Sequence, residues 1–202
     1  MRGKTTYQER IRSIAEKRGV PWLVHFTQCN NLWGIVEHGL LSRKTLAERG
    51  YMYYPSDPWR LDDCEEAVSV SISRVNGPVF ETKRHKNGRT DWVVLFLKSD
   101  ILWTHDCRFS WRNAAKKEIT DYIFFRGGDG AFSKMFEGSD EDRNGLPLCC
   151  PTDIEAEVQV LQPIARDRIL GAVVYGPELV EPVRTILALL PGEKRPVEVG
   201  AF

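Results

Sequence analysis

Apolar and polar positions along the 202-residue chain change period several times, and each change predicts an element. Over residues 6–18 the apolar positions Tyr7, Ile11, Ile14 and Ala15 recur at helical spacing. The pattern Thr6-x-x-Glu9 opens that helix as a capping box, and Gly19 followed by Pro21 ends it. Residues 22–26 are a short run of β-forming side chains and predict a buried strand. A polar corner follows, carrying His25, Thr27, Asn30 and Asn31. Asn30 or Asn31 is placed to cap a second helix whose Leu32, Ile35 and Val36 face the core, with Gly39 closing it in the left-handed conformation.

Residues 41–66 break the pattern. With Gly50, Pro55 and Pro58 among Tyr51, Tyr53, Tyr54 and Trp59, they read as one long loop, and a loop of that length in a small domain is usually functional. Residues 67–73 alternate Val or Ile with Ser and predict a strand with one buried face; residues 75–78 are a turn. Residues 82–89 form a basic, hairpin-like excursion around an Asn-Gly signal, and residues 92–97 are apolar throughout, as a central strand requires. Asn113 stands before Ala114 and Ala115 as a helix cap. Residues 125–151 are glycine-rich and irregular apart from one turn in which Phe132, Met135 and Phe136 share a face. A strand is predicted over 151–161, another over 172–175, a helix over 178–190 and a last short segment over 197–199.

With 42% hydrophobic and 28% charged residues the composition is that of a single domain, here spanning 1–202, with enough apolar residues for a substantial core. No apolar run is long enough to span a membrane, and the N-terminal residues lack the apolar stretch of a secretory signal, so a cytoplasmic protein is expected. The 28 basic and 28 acidic side chains cancel. No global field therefore drives the chain onto nucleic acid, and any such contact must be local. The five cysteines show no C-x-x-C spacing, which points to reduced structural thiols and no metal site.

Chemistry concentrates in two places. The corner over residues 25–31 combines an imidazole, a hydroxyl and carboxamides beside a helix start, where anions and amides are readily bound. Along the strand over 151–161, Glu155 and Glu157 share one face while Ala156, Val158 and Val160 take the other. Two carboxylates there are either the solvated face of an edge strand or a catalytic pair. Arg60, ahead of the Ser-rich strand, is either a surface ion pair with Asp62 or Asp63 or a bidentate ligand for pyrophosphate or ribose oxygens. Lys83, Arg84, Lys86 and Arg89 are a solvated loop tip or a track for phosphates.

The pattern His-x-Thr-x-x-x-Asn-Leu-x-x-Ile-x-x-x-Gly-Leu over 25–40 resembles the NAD-binding start of the DarT family, bacterial toxins that ADP-ribosylate single-stranded DNA. Arg60 to Ser73, Asn113 to Ala115 and the Ala156-Glu157-Val158 segment match that family in the same order, although Trp111 and Arg112 replace the acidic residue and glycine usual before the Asn. The resemblance implies an α+β ADP-ribosyltransferase fold of two small packed β-sheets with flanking helices. It implies that NAD is the co-substrate, with no metal, and that Glu157 and Arg60 are catalytic. His25, Thr27, Asn31, Arg60 and Ser71 would bind NAD, and Glu155 would meet the nucleic acid beside the basic loop. The implied acceptor is a base in single-stranded DNA, with RNA and protein arginine as alternatives, the latter because Glu155-x-Glu157 has the spacing of arginine-modifying transferases. A non-catalytic NAD- or nucleic-acid-binding module is the alternative of another class. The family also implies a toxin with a part in phage defence, restrained by a macrodomain antitoxin of the DarG type.

Overall fold

The computed structural model describes residues 5–55, 64–78, 80–82, 91–113 and 126–200. Helix α1 (Tyr7–Arg18) forms as its capping box requires. The Thr6 hydroxyl accepts from the Glu9 N–H at 3.2 Å, and the Glu9 carboxylate accepts from the Thr6 N–H at 2.7 Å. Two donors that a helix start leaves open are thereby satisfied. The buried face is narrower than predicted: Ile11 and Ala15 are in the core, but Tyr7 is exposed, because the first turn projects beside an open cleft with His105, Cys107 and Phe109. On the outer face Arg10 pairs with Asp129 at 2.9 Å and Arg12 with Glu16 at 2.8 Å, both in solvent.

Among the described residues seven strands follow: β1 (Trp22–Gln28), β2 (Val68–Ile72), β3 (Trp92–Lys98), β4 (Cys107–Ser110), β5 (Glu157–Val160), β6 (Ile169–Val174) and β7 (Val197–Val199). They hydrogen-bond in the order β4-β5-β2-β1-β3-β6-β7. All neighbours are antiparallel except β6 and β7. The seam in the middle is narrow. Strand β1 pairs with β3 along its whole length but with β2 only through Leu23↔Ile72 and Val24↔Ser71. The strands thus form one continuous sheet, narrowed at this seam, where two small packed sheets were expected; the mixed strand and helix architecture is the expected one.

Further helices flank the sheet among the described residues: α2 (Leu32–His38), α3 (Arg43–Glu48), α4 (Ile101–Thr104), α5 (Gly128–Lys134) and α6 (Val180–Leu187). Helix α1 packs on α4 and α5, and α2 packs on α6. Phe132 joins the two layers, its ring 5.0 Å from that of Phe109 on β4 and 5.3 Å from that of Phe136. Phe26, Phe80 and Trp92 form a second aromatic group with centroids 5.5–6.2 Å apart.

Several expectations are corrected. The long loop over 41–66 contains α3, started by Ser42, whose hydroxyl accepts from the Thr45 N–H at 3.2 Å; none of its six residues is buried, so it has no apolar stripe to read. Strand β4 and helix α4 are four residues each, too short to show a period. The strand over 151–161 shrinks to β5, because residues 151–156 spend their polar groups on turns. Residues 77–78, read as part of a turn, and Thr82, read as the first residue of the hairpin, are helical, as are residues 80–81. Asn31 does not cap α2, and Gly39 has φ 82° and ψ −174°, a positive-φ region distinct from the left-handed helical one.

Candidate active site

Past the pair Val24↔Ser71, β1 and β2 part. His25 is the first residue of β1 beyond that pair, and its Nδ1 lies 2.9 Å from the Ser69 carbonyl. A carbonyl only accepts, so Nδ1 carries the proton, and in the neutral ring Nε2 is then the acceptor. The Ser69 hydroxyl donates to Glu157 Oε1 at 3.4 Å. One serine therefore connects both sides of the seam, through its carbonyl to His25 and through its hydroxyl to Glu157. The bond to Glu157 is long for O–H···O.

Register explains the pairing. Ser69 stands opposite Gln159 and Val70 opposite Val158, so Ser69, Ser71, Glu157 and Gln159 share one face while Val68, Val70, Ile72, Val158 and Val160 fill the core on the other. Strand β5 lies between β4 and β2, not at an edge. Glu157 is half-buried and Gln159 fully buried, so this is no solvated edge face. Across the other ladder Ser110 stands opposite Glu157, and the Ser110 hydroxyl accepts from Arg126 Nη1 at 3.1 Å. Arg126 is almost completely buried. Burying a guanidinium is costly, and this one is bonded to the serine that stands opposite Glu157 in the β4–β5 register. Glu155 precedes the strand; Asn113 Nδ2 donates to its Oε1 at 3.3 Å, and its own N–H donates to Asp153 Oδ1 at 2.8 Å.

The polar corner at the other side of the seam is closely bonded. Thr27 is buried and its hydroxyl accepts from Asn31 Nδ2 at 2.9 Å. Asn31 also bonds both backbone groups of Tyr54, and Gln28 Nε2 donates to the Pro55 carbonyl at 3.1 Å. The irregular stretch leading to β5 is held by cations on carbonyls. Arg143 donates to Thr152 Oγ1 at 2.7 Å and to the carbonyls of Phe136, Pro147 and Cys150; Arg74 donates to the Pro151 carbonyl at 2.8 Å. Phe132, Met135 and Phe136 are buried, as their spacing predicted.

Of the predicted site residues, the structure brings His25 and Glu157 together through Ser69, with Ser71 on the Glu157 face, and places Thr27 and Asn31 at the adjoining corner. Arg60, Lys83, Arg84, Lys86 and Arg89 lie outside the described residues, as do Ala114 and Ala115. Ser69, Ser110 and Arg126 are the neighbours that sequence reasoning missed. The alternating serines of β2 were a signal, but only register tells Ser69 from Ser71.

Among the described residues no group of three His, Cys, Asp or Glu could hold a metal ion, and no helix is long and apolar enough to cross a membrane. The cysteines are free thiols. Burial pushes the Cys107 thiol up to about 12, with Asp106 adding to the rise, so it is no nucleophile at neutral pH. What the seam offers is a half-buried carboxylate, an imidazole of fixed tautomer and serine hydroxyls. That donor set suits a ribose with its hydroxyls and a developing positive charge.

A family model described as ssDNA thymidine ADP-ribosyltransferase, DarT, matches residues 24–201. No curated protein matches the sequence. Among solved structures, Thermus sp. 2.9 DarT in complex with carba-NAD+ shares the fold with TM-score 0.61 at 15% identity, over 90% of this chain and 96% of that one. The same Thermus protein in complex with ADP-ribosylated ssDNA gives TM-score 0.56 at 15% identity over 90% and 95%. Thermosipho africanus DarTG in complex with ADP-ribose gives 0.58 at 18% identity, covering 89% of this chain but only 50% of the Thermosipho chain. The present chain thus spans half the length of that relative.

Proposed function

The chain belongs to the DarT family of single-stranded-DNA thymidine ADP-ribosyltransferases, and on that footing we propose that its seam binds NAD and transfers ADP-ribose to thymine in an unpaired strand. The observation that carries this is the connection His25–Ser69–Glu157 where β1 and β2 part. NAD supplies a nicotinamide that is already cationic, so its ribose bond breaks toward an oxocarbenium-like state. The Glu157 carboxylate stabilises the positive charge that develops, and Ser69 holds that carboxylate. His25 and Ser71 take ribose hydroxyls or the amide, with Thr27 and Asn31 completing the corner. Arg60 is assigned to the dinucleotide from its place in the sequence. Thymine carries one ring N–H, at N3. As N3 bonds to the ribose carbon and nicotinamide leaves, that proton passes to a carboxylate, and Glu157 is the group at hand. Glu155, held by Asn113, is proposed to face the acceptor, with Lys83, Arg84, Lys86 and Arg89 on its phosphates.

The reading is tested by incubating labelled NAD with the four homopolymeric DNA strands, a mixed strand, its duplex, matching RNA and an arginine-rich protein. Label is expected in the thymine-containing single strands, with the duplex at least about tenfold poorer, because pairing and stacking hide N3 and extruding a base costs a few kcal/mol. Label in RNA or protein alone, or NAD left intact with every acceptor, would overturn it.

A cell whose own DNA is the substrate must restrain such an enzyme. The proposed partner is a macrodomain antitoxin of the DarG type, and the Thermosipho protein named DarTG points the same way. Expression without a partner should arrest growth, and co-expression of an ADP-ribose-removing macrodomain should relieve it. Normal growth while modified thymine accumulates in the DNA would refute the toxin role. The setting proposed for the pair is the cytoplasm, in defence against phage.

A further inference from the structure

Asn31 is bonded in a way that neither helix capping nor ligand binding explains. Its Oδ1 accepts from the Tyr54 N–H at 2.7 Å, and its Nδ2 donates to the Tyr54 carbonyl at 2.8 Å and to Thr27 Oγ1 at 2.9 Å. The side-chain amide thus pairs with a backbone amide in both directions, as one strand pairs with another. Both Nδ2 protons are committed, so donation to a dinucleotide would require breaking the arrangement. One turn earlier, Gln28 does the same work on the next residue, donating to the Pro55 carbonyl at 3.1 Å; its Oε1 is buried with no partner among the described residues. That oxygen gives Gln28 no reason to be buried there. The bond to Pro55 does.

The opposite end of the same segment is fixed as well. The Tyr51 ring stacks on His38 at 4.1 Å with the planes 6° apart, and the Tyr51 N–H donates to the Leu46 carbonyl at 2.9 Å. Residues 51–55 are therefore fastened at both ends across the start and finish of α2, with Met52, 84% exposed, between them.

We infer that Asn31, seated on Thr27 and assisted by Gln28, is a positioning residue. It fastens residues 51–55 over the corner beside His25 and so sets the affinity for NAD without touching it. The inference rests on the NAD site proposed above. The requirement is for a side-chain carboxamide, because the group must accept from an N–H and donate to a carbonyl of the same residue.

The test combines amide hydrogen exchange at Tyr54 with steady-state kinetics on the full chain and on Asn31→Asp, Asn31→Ala and Gln28→Met. Asn31→Asp preserves shape but sets a carboxylate against the Tyr54 carbonyl. Tyr54 exchange is expected to speed up about tenfold and KM for NAD to rise about tenfold, with kcat changing by less than about threefold, the scale of one or two lost hydrogen bonds. Gln28→Met should move both readouts the same way by about threefold. Unchanged Tyr54 exchange would show that there is no clamp. Faster exchange with KM within about twofold of the parent would make the clamp structural only. A raised KM with Tyr54 still protected would make Asn31 a direct ligand. Failure of the site reading is distinguishable: a parent chain that consumes no NAD would sink it, while the exchange result still decides the clamp.

Discussion

Glu157→Gln is expected to lower ADP-ribose transfer to a thymine strand by about 10²–10³-fold while the protein unfolds within a few degrees of the parent. Glutamine has nearly the volume of glutamate, and its carbonyl oxygen can still accept from the Ser69 hydroxyl. What disappears is the negative charge. On this strand the charge serves no packing purpose, because the face that carries it is opposite the one on which Val158 and Val160 are buried. It stands between two serines, Ser69 on β2 and Ser110 on β4. Ser69→Ala should then have a graded effect of about three- to tenfold, since it removes one long hydrogen bond to a charged acceptor and leaves the charge in place. Measured rates and melting curves for both variants decide the role. Glu157→Gln within about tenfold of the parent would remove Glu157 from the chemistry, because a lost transition-state charge interaction is worth more than 1.4 kcal/mol.

The contrast between Glu157 and its neighbours shows what kind of information the sequence holds. Glu157 stood out because two carboxylates on a face of an otherwise apolar strand are conspicuous within a window of five residues. Helix α1 was legible for the same reason: its cap, its stripe and its terminal glycine are all local. Ser69 is 88 residues from Glu157 and reaches it only through the β2–β5 register. Arg126 stands in the glycine-rich, irregular stretch over 125–151, where no period singles it out; its burial against Ser110 is a tertiary fact with no local mark. Asn31 shows local preference losing outright. An asparagine before an apolar helical run is a good cap, but the Tyr54 backbone, 23 residues away, offers two hydrogen bonds and wins. The fold class came through because it depends on many such local patterns together, whereas the wall of the site depends on a few contacts between distant residues.

Gly39 extends that lesson to stability and supplies the second large effect expected. A glycine at the end of α2 was read as a left-handed cap, a position where alanine costs about 1–2 kcal/mol. Gly19, which is such a cap with φ 64° and ψ 39°, has nothing within 4 Å of where a Cβ would stand. Gly19→Ala should therefore destabilise by only about 1 kcal/mol, part of the strain being offset by the stiffer unfolded chain. Gly39 is different on two counts. Its φ of 82° and ψ of −174° lie in a region essentially closed to other residues, and a Cβ there would sit 2.4 Å from the Ile164 carbonyl oxygen. That oxygen is not movable at small cost. It accepts from the Leu40 N–H at 2.9 Å, while the Ile164 N–H donates back to Leu40 at 2.9 Å and Arg166 Nη1 donates to the Val36 carbonyl at 3.1 Å. Backbone strain and forced displacement together should make Gly39→Ala cost about 2–6 kcal/mol, a drop of about 5–20 °C in Tm for a chain of this size. Because α2 begins just after Asn31, the displacement should also loosen the 51–55 clamp and raise KM for NAD in the variant that remains folded at low temperature. Paired melting curves settle the matter: if Gly39→Ala falls within about 1 kcal/mol of Gly19→Ala, the close approach to Ile164 is not what fixes the exit of α2.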